Sequence, residues 1–373
     1  MEQRGKGLIM KKIKLLDAFA GIGGFHLGIQ QTCAKLGLDF ECMGAIEKNK
    51  HSQFTYQDNF PSVPIFDDIT KIKVENLPKH TILTGGFPCQ PFSSAGLAHI
   101  TNGSQVRSED DRSNLYLYLV EILKYHKPEY FIFENVKGLQ TIQIGNKYLL
   151  KDIILPSLQN LGYNVEVDIL TPCDFGLPQL RERLFIVGCR NSVPSLPIKQ
   201  QNTSCLRDIL ETNIDESYYL DNKWKNIFLT IKPDGSRYLD TDIKPTRLSA
   251  LYENLNEREQ KYKIKQPNKS KTVLAAEVTN DTPSGRSRQH DRAYCVDGQC
   301  PTLTTVDAQI IYEPHTKRFR KLTPLEYARL QGFVSNTNTF KIHKNDNVAY
   351  HQFGNAVCVK VVNNITRSML SNV

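Results

Sequence analysis

The sequence lacks any apolar run that approaches the roughly 20 residues needed to cross a bilayer. Met1 to Lys14 carries basic residues but no long apolar stretch before Asp17, so it does not have the pattern of a secretory signal. Hydrophobic residues make up 40% of the chain and charged residues 23%, which is typical of a globular protein. We therefore expect a cytoplasmic protein that does not associate with membranes.

The sequence also lacks a cysteine pattern that would form a disulfide framework or a zinc site. Its 9 cysteines are odd in number and scattered, and a chain of 373 residues can bury a core without disulfides. Cys295 and Cys300 are the closest pair, but they do not form a C-x-x-C, and no histidine pair stands at zinc spacing nearby. We expect reduced thiols and no metal.

Acidic residues are fewer than basic ones, and the formal net charge is +8. This excess favours a polyanionic partner without establishing one. Residues 201–316 are polar and show no clear alternation of helix and strand, and residues 258–290 hold 8 Lys/Arg against 3 Asp/Glu. The stretch is either a set of solvated loops or a separate module that faces a phosphate backbone.

What is present is an alternation of short apolar runs with helical segments. The runs at 13–19, 40–46, 81–83 and 130–133 predict strands, runs at 165–167 and 184–187 continue the pattern, and 115–125 is the clearest helix. A second helix is predicted at 324–330, with Thr323 as its N-cap and Glu326 three residues later. The pattern indicates an α/β fold with a mostly parallel sheet, in which ligands bind beyond the carboxyl ends of the strands. Four candidate groups fall at such ends, namely Asp17, Glu47, the Gly85 loop and Glu134.

A glycine-rich turn, Ala20-Gly21-Ile22-Gly23-Gly24, follows the first predicted strand. Glycines allow the backbone to approach a ligand closely, although this turn lacks the last glycine of G-x-G-x-x-G. Glu47 ends the second strand, where an acidic side chain suits the paired hydroxyls of a ribose; alternatively it is a surface charge. The turn and Glu47 together indicate a nucleotide-like cofactor.

Cys89 lies after the third strand in Gly85-Gly86-Phe87-Pro88-Cys89-Gln90-Pro91. An isolated cysteine is usually a small buried apolar residue, but flanking Gly, Pro and Gln argue against a core position. Glu134 supplies a carboxylate at the end of a neighbouring strand. Arg181 and Arg183 are two residues apart, so they project to the same side if the segment is extended.

Six blocks of this sequence resemble the ordered motifs of the DNA (cytosine-5)-methyltransferases. They are LDAFAGIGGF (16–25), GGFPCQPFSSAG (85–96), ENV (134–136), QLRER (179–183), RKLTPLEYARLQGF (320–333) and QFGNAV (352–357). They span nearly the whole chain in that family's order. The resemblance implies a Rossmann-like methyltransferase domain that uses S-adenosylmethionine, releases S-adenosylhomocysteine and needs no metal.

The resemblance also implies a role for each catalytic residue. Cys89 would attack cytosine carbon 6, and Glu134 would hold the exocyclic amine and ring N3. Arg183 would contact the base O2, and Arg181 the DNA backbone or the catalytic loop. The cytosine must be flipped out of the duplex. Four further residues are DNA-contact candidates: Gln90 and Ser93 near the vacated space, and Thr302 and Thr304 near the flipped base, where the latter two could equally form an ordinary strand edge.

The cofactor residues follow from the same resemblance. Phe19 would stack near the adenine, the turn of Gly21, Gly23 and Gly24 would lie beneath the methionine moiety, and Glu47 would bind the ribose hydroxyls. Asp68 and Ile69 would face the adenine, and Pro88, Leu115 and Asn355 would complete the pocket. Asp67 departs from the family, which often has glycine there, and this puts the local turn in doubt.

We expect a catalytic domain formed by residues 1–200 and 317–373, with an inserted small target-recognition domain at 201–316. The last segment should return beside the first strand. The protein should act on double-stranded DNA as a monomer, with a cognate restriction endonuclease as a genetic partner by analogy. Three alternatives stay open: the same chemistry on RNA, a silent DNA-binding module, and a nicotinamide-dependent oxidoreductase. The sequence after Pro-Cys-Gln and the intact Cys89, Glu134, Arg181 and Arg183 count against them.

Overall fold

A computed structural model describes residues 12–87, 115–200, 203–220, 292–306, 308–313, 316 and 318–371, together with short strands at 229–231, 237–239 and 274–277. These residues fall into two compact units. The first lies within Met1–Leu170, Glu182–Lys199 and Ala356–Val373, and the second within Thr171–Arg181 and Gln200–Asn355. Across the described ranges, no helix has both the length and the apolar character required to cross a membrane.

The first unit is built on a seven-stranded sheet in the order β3-β2-β1-β4-β5-β10-β8. Its strands are β1 (Ile13–Ala18), β2 (Phe40–Ile46), β3 (Ile65–Phe66), β4 (Ile82–Gly86), β5 (Tyr130–Val136), β8 (Asn164–Leu170) and β10 (Arg183–Cys189). Strand β10 runs antiparallel to both β5 and β8, whereas the pairs from β3 to β5 are parallel. The chain leaves β1 towards β2 on one side and later adds β4 on the other. This reversal opens a crevice at the carboxyl ends of β1 and β4, where ligands bind in open α/β sheets.

Apolar residues account for the strands and helices of this unit. Leu15, Leu16 and Ile82 are fully buried, as expected for central strands covered on both faces. The helices are α1 (Gly24–Leu36), α2 (Lys50–Asn59), α3 (Leu115–His126), α4 (Leu155–Asn160) and, after the second unit, α7 (Val359–Leu370). Between β5 and β8 lie the short strands β6 (Gln143–Ile144) and β7 (Lys147–Tyr148) and a π-helical turn at Leu149–Ile154.

The last helix packs on α1. The Thr32 hydroxyl donates to the backbone carbonyl of Asn363 at 3.2 Å, and the Asn363 side chain donates to Gln31 at 3.0 Å. The final segment therefore returns to the first unit, but it packs on the helix that follows β1, whereas β1 itself pairs with β2 and β4.

The second unit contains a four-stranded sheet in the order β13-β14-β16-β17. Its strands are β13 (Leu274–Glu277), β14 (Arg292–Cys295), β16 (Ile310–Glu313) and β17 (Arg318–Lys321). Two further strand pairs belong to this unit, β9 (Gln179–Leu180) with β15 (Cys300–Pro301) and β11 (Leu229–Ile231) with β12 (Arg237–Leu239). Its described α-helices are α5 (Pro324–Leu330) and α6 (Asp346–Asn355). Helix α5 begins as its sequence indicates, with Thr323 and Glu326 forming a capping box. Because β17 pairs with β16, this sheet continues across the expected domain boundary at 316/317.

Candidate active site

The glycine turn between β1 and α1 has backbone angles that allow a ligand to approach the chain closely. Gly21 has φ 56° and Gly23 has φ 91°, in the left-handed region that favours glycine. A Cβ on Gly23 would stand 2.5 Å from a ring carbon of Phe60, whereas a Cβ on Gly21 would meet no atom of the described residues within 4 Å. Phe19 also has a positive φ of 54°, which a bulky side chain rarely adopts. Strain of this kind is characteristic of functional sites, and here it coincides with the residue expected to stack on adenine.

Glu47 lies beside this turn with its carboxylate held in place. The amide of Gly21 donates to Oε2 at 2.8 Å, and the amide of Asn49 donates to Oε1 at 2.7 Å. Each oxygen therefore keeps an acceptor position for a further donor, as a ribose with two hydroxyls requires. Burial raises the pKa of the Glu47 carboxyl, and the backbone amides of Asn49, Gly21 and Lys48 oppose that rise.

Asp68 is buried beside the end of β3. Its Oδ1 accepts from the amide and hydroxyl of Thr70, and its Oδ2 pairs with the ammonium of Lys48 at 2.7 Å. Burial alone would raise the pKa of Asp68, but Lys48 and Thr70 hold it below its ordinary value, so the side chain is a charged acceptor. Ile69 is buried next to it. The neighbouring Asp67 accepts from Lys50 and Gln53 at 2.9 Å, and its φ is not positive, so the turn has no need of glycine at this position.

Glu134 and Arg183 form an ion pair on adjacent strands. Their side chains approach to 3.1 Å and are only 13% and 18% exposed. Residue Gly86, at the end of β4, pairs in register with Glu134, and a Cβ there would stand 3.6 Å from Glu134 Oε2. The Asn135 side chain donates to the carbonyl of Phe87 at 3.0 Å. A partly buried carboxylate and guanidinium thus lie next to the strand that leads into Pro88-Cys89.

The remaining predicted site residues lie in three places: in the first unit, in the second unit, and outside the described ranges. Leu115 begins α3 and is half-buried. Pro88, Cys89, Gln90 and Ser93 lie outside the described residues. In the second unit, Arg181 is buried, Thr302 donates to the carbonyl of Leu180 at 2.9 Å, and Asn355 is exposed at the end of α6. Thr304 is partly exposed and lies near Gly354, the residue before Asn355.

Two buried polar groups of the first unit had no role assigned from the sequence: Asp17, noted there only as a strand-end residue, and His26, which was missed. Asp17 is fully buried on β1 and accepts from the hydroxyl of Thr84 on β4 at 2.7 Å. Its Oδ2 has no hydrogen-bond partner among the described residues, and burial raises the pKa of Asp17 to about 7. His26 lies behind the turn, 2.7 Å from the Tyr56 hydroxyl, and burial lowers its pKa to about 3. The position of Asp17 at a strand end was visible in the sequence, but its partner was not.

A family model described as C-5 cytosine-specific DNA methylase matches residues 13–371. The chain belongs to this family. It is accordingly a DNA cytosine-5-methyltransferase: DNA is its substrate, and S-adenosylmethionine is the methyl donor that this chemistry implies. The predicted activity is thereby confirmed.

Relatives and solved structures agree with that assignment. The chain is 35% identical to the type II methyltransferase M1.ScrFI of Lactococcus lactis subsp. cremoris, over 96% of this chain and 78% of that protein. It is 33% identical to the type II methyltransferase M.NlaX of Neisseria lactamica, over 95% of this chain and 96% of that protein. Among solved structures, the Entamoeba histolytica methyltransferase EhMeth superposes with a TM-score of 0.63 at 18% identity, covering 97% of this chain and 99% of that one. The predicted Rossmann-like methyltransferase fold is confirmed by this similarity.

Proposed function

We propose that this methylase transfers a methyl group from S-adenosylmethionine to carbon 5 of a cytosine flipped out of a specific duplex DNA sequence, through a covalent adduct with Cys89. The observation that carries the proposal is the partly buried Glu134–Arg183 ion pair beside the end of β4, the strand that leads into Cys89. A carboxylate and a guanidinium at this position match the amine, N3 and O2 edge of cytosine.

The chemistry follows from the poor nucleophilicity of cytosine carbon 5. Attack of the Cys89 thiolate on carbon 6 forms a carbon–sulfur bond and moves electron density to carbon 5. Glu134 holds the amine and ring N3 as charge enters the ring, and Arg183 holds O2. Bound S-adenosylmethionine supplies the electrophilic methyl group and leaves as S-adenosylhomocysteine. Loss of the carbon-5 proton to a base, with elimination of the Cys89 thiolate, restores the aromatic ring.

The residues around the glycine turn fit the cofactor. The two oxygens of Glu47 are oriented by backbone amides and keep capacity for two hydroxyl donors. No described residue occupies the space beside Gly21 within 4 Å of a Cβ placed there, and the charged Asp68 is proposed to supply an acceptor for the adenine amine. Leu115 and Asn355 are proposed to complete this pocket with Pro88.

Residues 201–316 are proposed to read the DNA sequence, with Thr302 and Thr304 near the flipped base. By analogy with the type II relatives, the protein is proposed to protect cytoplasmic DNA as a monomer beside a cognate restriction endonuclease. No metal is required by the proposed reaction.

Covalent trapping tests the mechanism. With S-adenosylmethionine present, duplex DNA that contains 5-fluorocytosine at the mapped target should form a denaturation-resistant adduct with the wild type, because after methyl transfer fluorine cannot leave carbon 5 as the proton does. Cys89→Ala should abolish both adduct and methylation, whereas Cys205→Ala should keep both. Methylation by Cys89→Ala at the wild-type rate would reject the covalent mechanism.

A further inference from the structure

Gly354 allows two backbone segments of the second unit to touch. It is the penultimate residue of α6, where alanine is the better helix former. A Cβ at this position would overlap the carbonyl oxygen of Thr304 and would stand 2.7 Å from its carbonyl carbon and 3.0 Å from Cα of Thr305. These neighbours are backbone atoms, which cannot turn aside as a flexible side chain can. Gly354 is buried and is not among the glycines with positive φ, so the close approach, and not a turn, requires glycine here.

Both segments are held from behind by buried amide side chains and a hydroxyl. The Gln331 side chain donates to the carbonyl of Phe353 at 2.7 Å, and the Gln179 side chain in turn donates to Oε1 of Gln331 at 3.4 Å. On the other segment, Thr302 donates to the carbonyl of Leu180 at 2.9 Å. Because each segment is anchored and the two backbones are in contact, we expect a displacement of one to be passed to the other.

The two segments lead to residues with different proposed partners. Asn355 follows Gly354 directly and is proposed to bind the cofactor. Thr304, which supplies the contact itself, is proposed to lie near the flipped cytosine. We propose that Gly354 is the positioning residue through which cofactor binding and target binding are coupled. This inference rests on the proposed roles of Asn355 and Thr304.

Coupling is reciprocal: if the cofactor tightens DNA binding by some factor, DNA tightens cofactor binding by the same factor. That factor is measured as the ratio of the dissociation constants of S-adenosylhomocysteine without and with duplex DNA carrying the mapped site. We expect about fivefold or more for the wild type, within the usual range of such coupling. In Gly354→Ala the ratio should fall below about twofold.

Gly28→Ala is the matched control. Gly28 also lies in a helix, and a Cβ there would stand 2.6 Å from the side chain of Val362, so the substitution disturbs packing within the first unit. It should lower the melting temperature and leave the coupling ratio at the wild-type value. A Gly354→Ala protein that keeps the wild-type ratio, or a Gly28→Ala protein that loses it equally, would overturn the inference.

A measurement on the wild type decides the question if Gly354→Ala does not fold. Hydrogen exchange at the amides of residues 302–305 should slow when S-adenosylhomocysteine is added without DNA. Unchanged exchange there, with bound ligand verified by calorimetry, would overturn the coupling. Failure of the proposed function looks different, since the wild type would then not bind S-adenosylhomocysteine or not methylate DNA.

Discussion

At the scale of single residues, Glu47 combines charge, burial and orientation. Its pre-positioned oxygens should each form a charge-assisted hydrogen bond to a ribose hydroxyl, worth about 1.5–3 kcal/mol. Glu47→Ala should therefore weaken S-adenosylmethionine binding about tenfold or more, as measured by calorimetry. Glu75→Ala, an acidic residue on an exposed turn of the same unit, should leave the dissociation constant unchanged. An unchanged constant in Glu47→Ala would reject the assignment.

The same residue sets a pH dependence of cofactor binding. Burial raises the pKa of Glu47 above the ordinary value of a glutamate, and only the ionised form offers two acceptors. Affinity should therefore decrease as the pH falls through this raised pKa, earlier than an ordinary glutamate would allow. Glu47→Gln should bind more weakly at neutral pH and lose most of this acid dependence. Titrations from pH 8 to 5 should separate the two proteins, and parallel curves would contradict the prediction.

Asp17 should make the stability of the fold depend on pH in the opposite direction to an ordinary ion-paired carboxylate. Its folded pKa of about 7 exceeds the unfolded value near 3.8, so the folded state binds the proton more tightly. The stabilisation is complete below the unfolded pKa and is lost as the pH rises towards 7. Between pH 5 and 7 this amounts to roughly 2 kcal/mol. In Asp17→Asn, urea unfolding should show a smaller loss of stability over that interval than in the wild type. An identical loss in the two proteins would contradict the raised pKa of Asp17.

The sequence predicts the residue types of the site, but it does not predict which of those residues are in contact. The acidic ends of β2 and β5 are visible in the sequence as carboxylates that follow apolar runs. The bond from Thr84 to Asp17 joins residues 67 positions apart, and no local pattern reports it. The left-handed φ of Phe19 also escapes prediction, since that conformation is ordinarily adopted by Gly, Asn or Asp.

At the scale of elements, apolar runs located the strands but not their directions. Strand β2 was predicted at Phe40–Ile46 and occupies those residues. The helix predicted at 115–125 ends one residue later, at His126. The strand predicted at 81–83 is longer in the structure, where β4 continues through Gly86. It continues because β1 pairs with it as far as Gly85 and β5 as far as Gly86. The reversal of β10 could not be predicted, because a strand buried on both faces has the same apolar pattern in either direction.

The start of α5 carries a buried ion-pair network that sequence patterns also missed. Arg320 is fully buried and donates to both oxygens of Glu326 at 2.8 Å and to Glu313 at 2.5 Å. Glu326 also accepts from the amides of Glu211 and Thr323, which ties three chain segments together. The basic and acidic residues were visible, but their burial follows from the sheet pairing of β16 with β17.

Removing one member of this network should be costly. Arg320→Met leaves Glu326 buried without its counter-charge and should destabilise the protein by about 3–5 kcal/mol, measured by chemical denaturation. The double variant Arg320→Met/Glu326→Gln should recover part of that loss, because no unpaired charge then remains. Arg318→Met removes an exposed pair with Glu216 and should cost about 1 kcal/mol or less. Equal losses in Arg320→Met and Arg318→Met would show that the buried network adds nothing.

At the scale of the whole molecule, the predicted division of labour assigns chemistry and specificity to different parts of the chain. Replacing residues 201–316 with the corresponding region of a relative of different specificity should move the methylated site and keep the product 5-methylcytosine. Bisulfite sequencing of DNA from cells that express the chimera gives the answer directly. An active chimera that still methylates the parental site would place specificity elsewhere.

Single basic residues of that stretch should act differently from base-reading ones. If Lys263 or Lys271 meets a phosphate, its replacement by Ala should weaken binding similarly for all sequences and reduce the salt dependence of the binding constant by about one unit of slope. A base-reading residue should instead cost about 1–3 kcal/mol at one position of the site only. Salt titrations on specific and unrelated DNA separate the two outcomes.

The packing of α7 on α1 has a consequence for how the enzyme is made. Thr32 and Asn363 are 331 positions apart, so a ribosome that adds about 5–20 residues per second needs on the order of half a minute to pass from one to the other. During that time α1, which begins at the glycine turn, has its Val362-facing side uncovered. A nascent chain, or one terminated early by a nonsense codon before α7, therefore lacks the helix that supports this turn. Translation through α7 should be a condition for methylation, so that chains that stop before this helix cannot modify the genome.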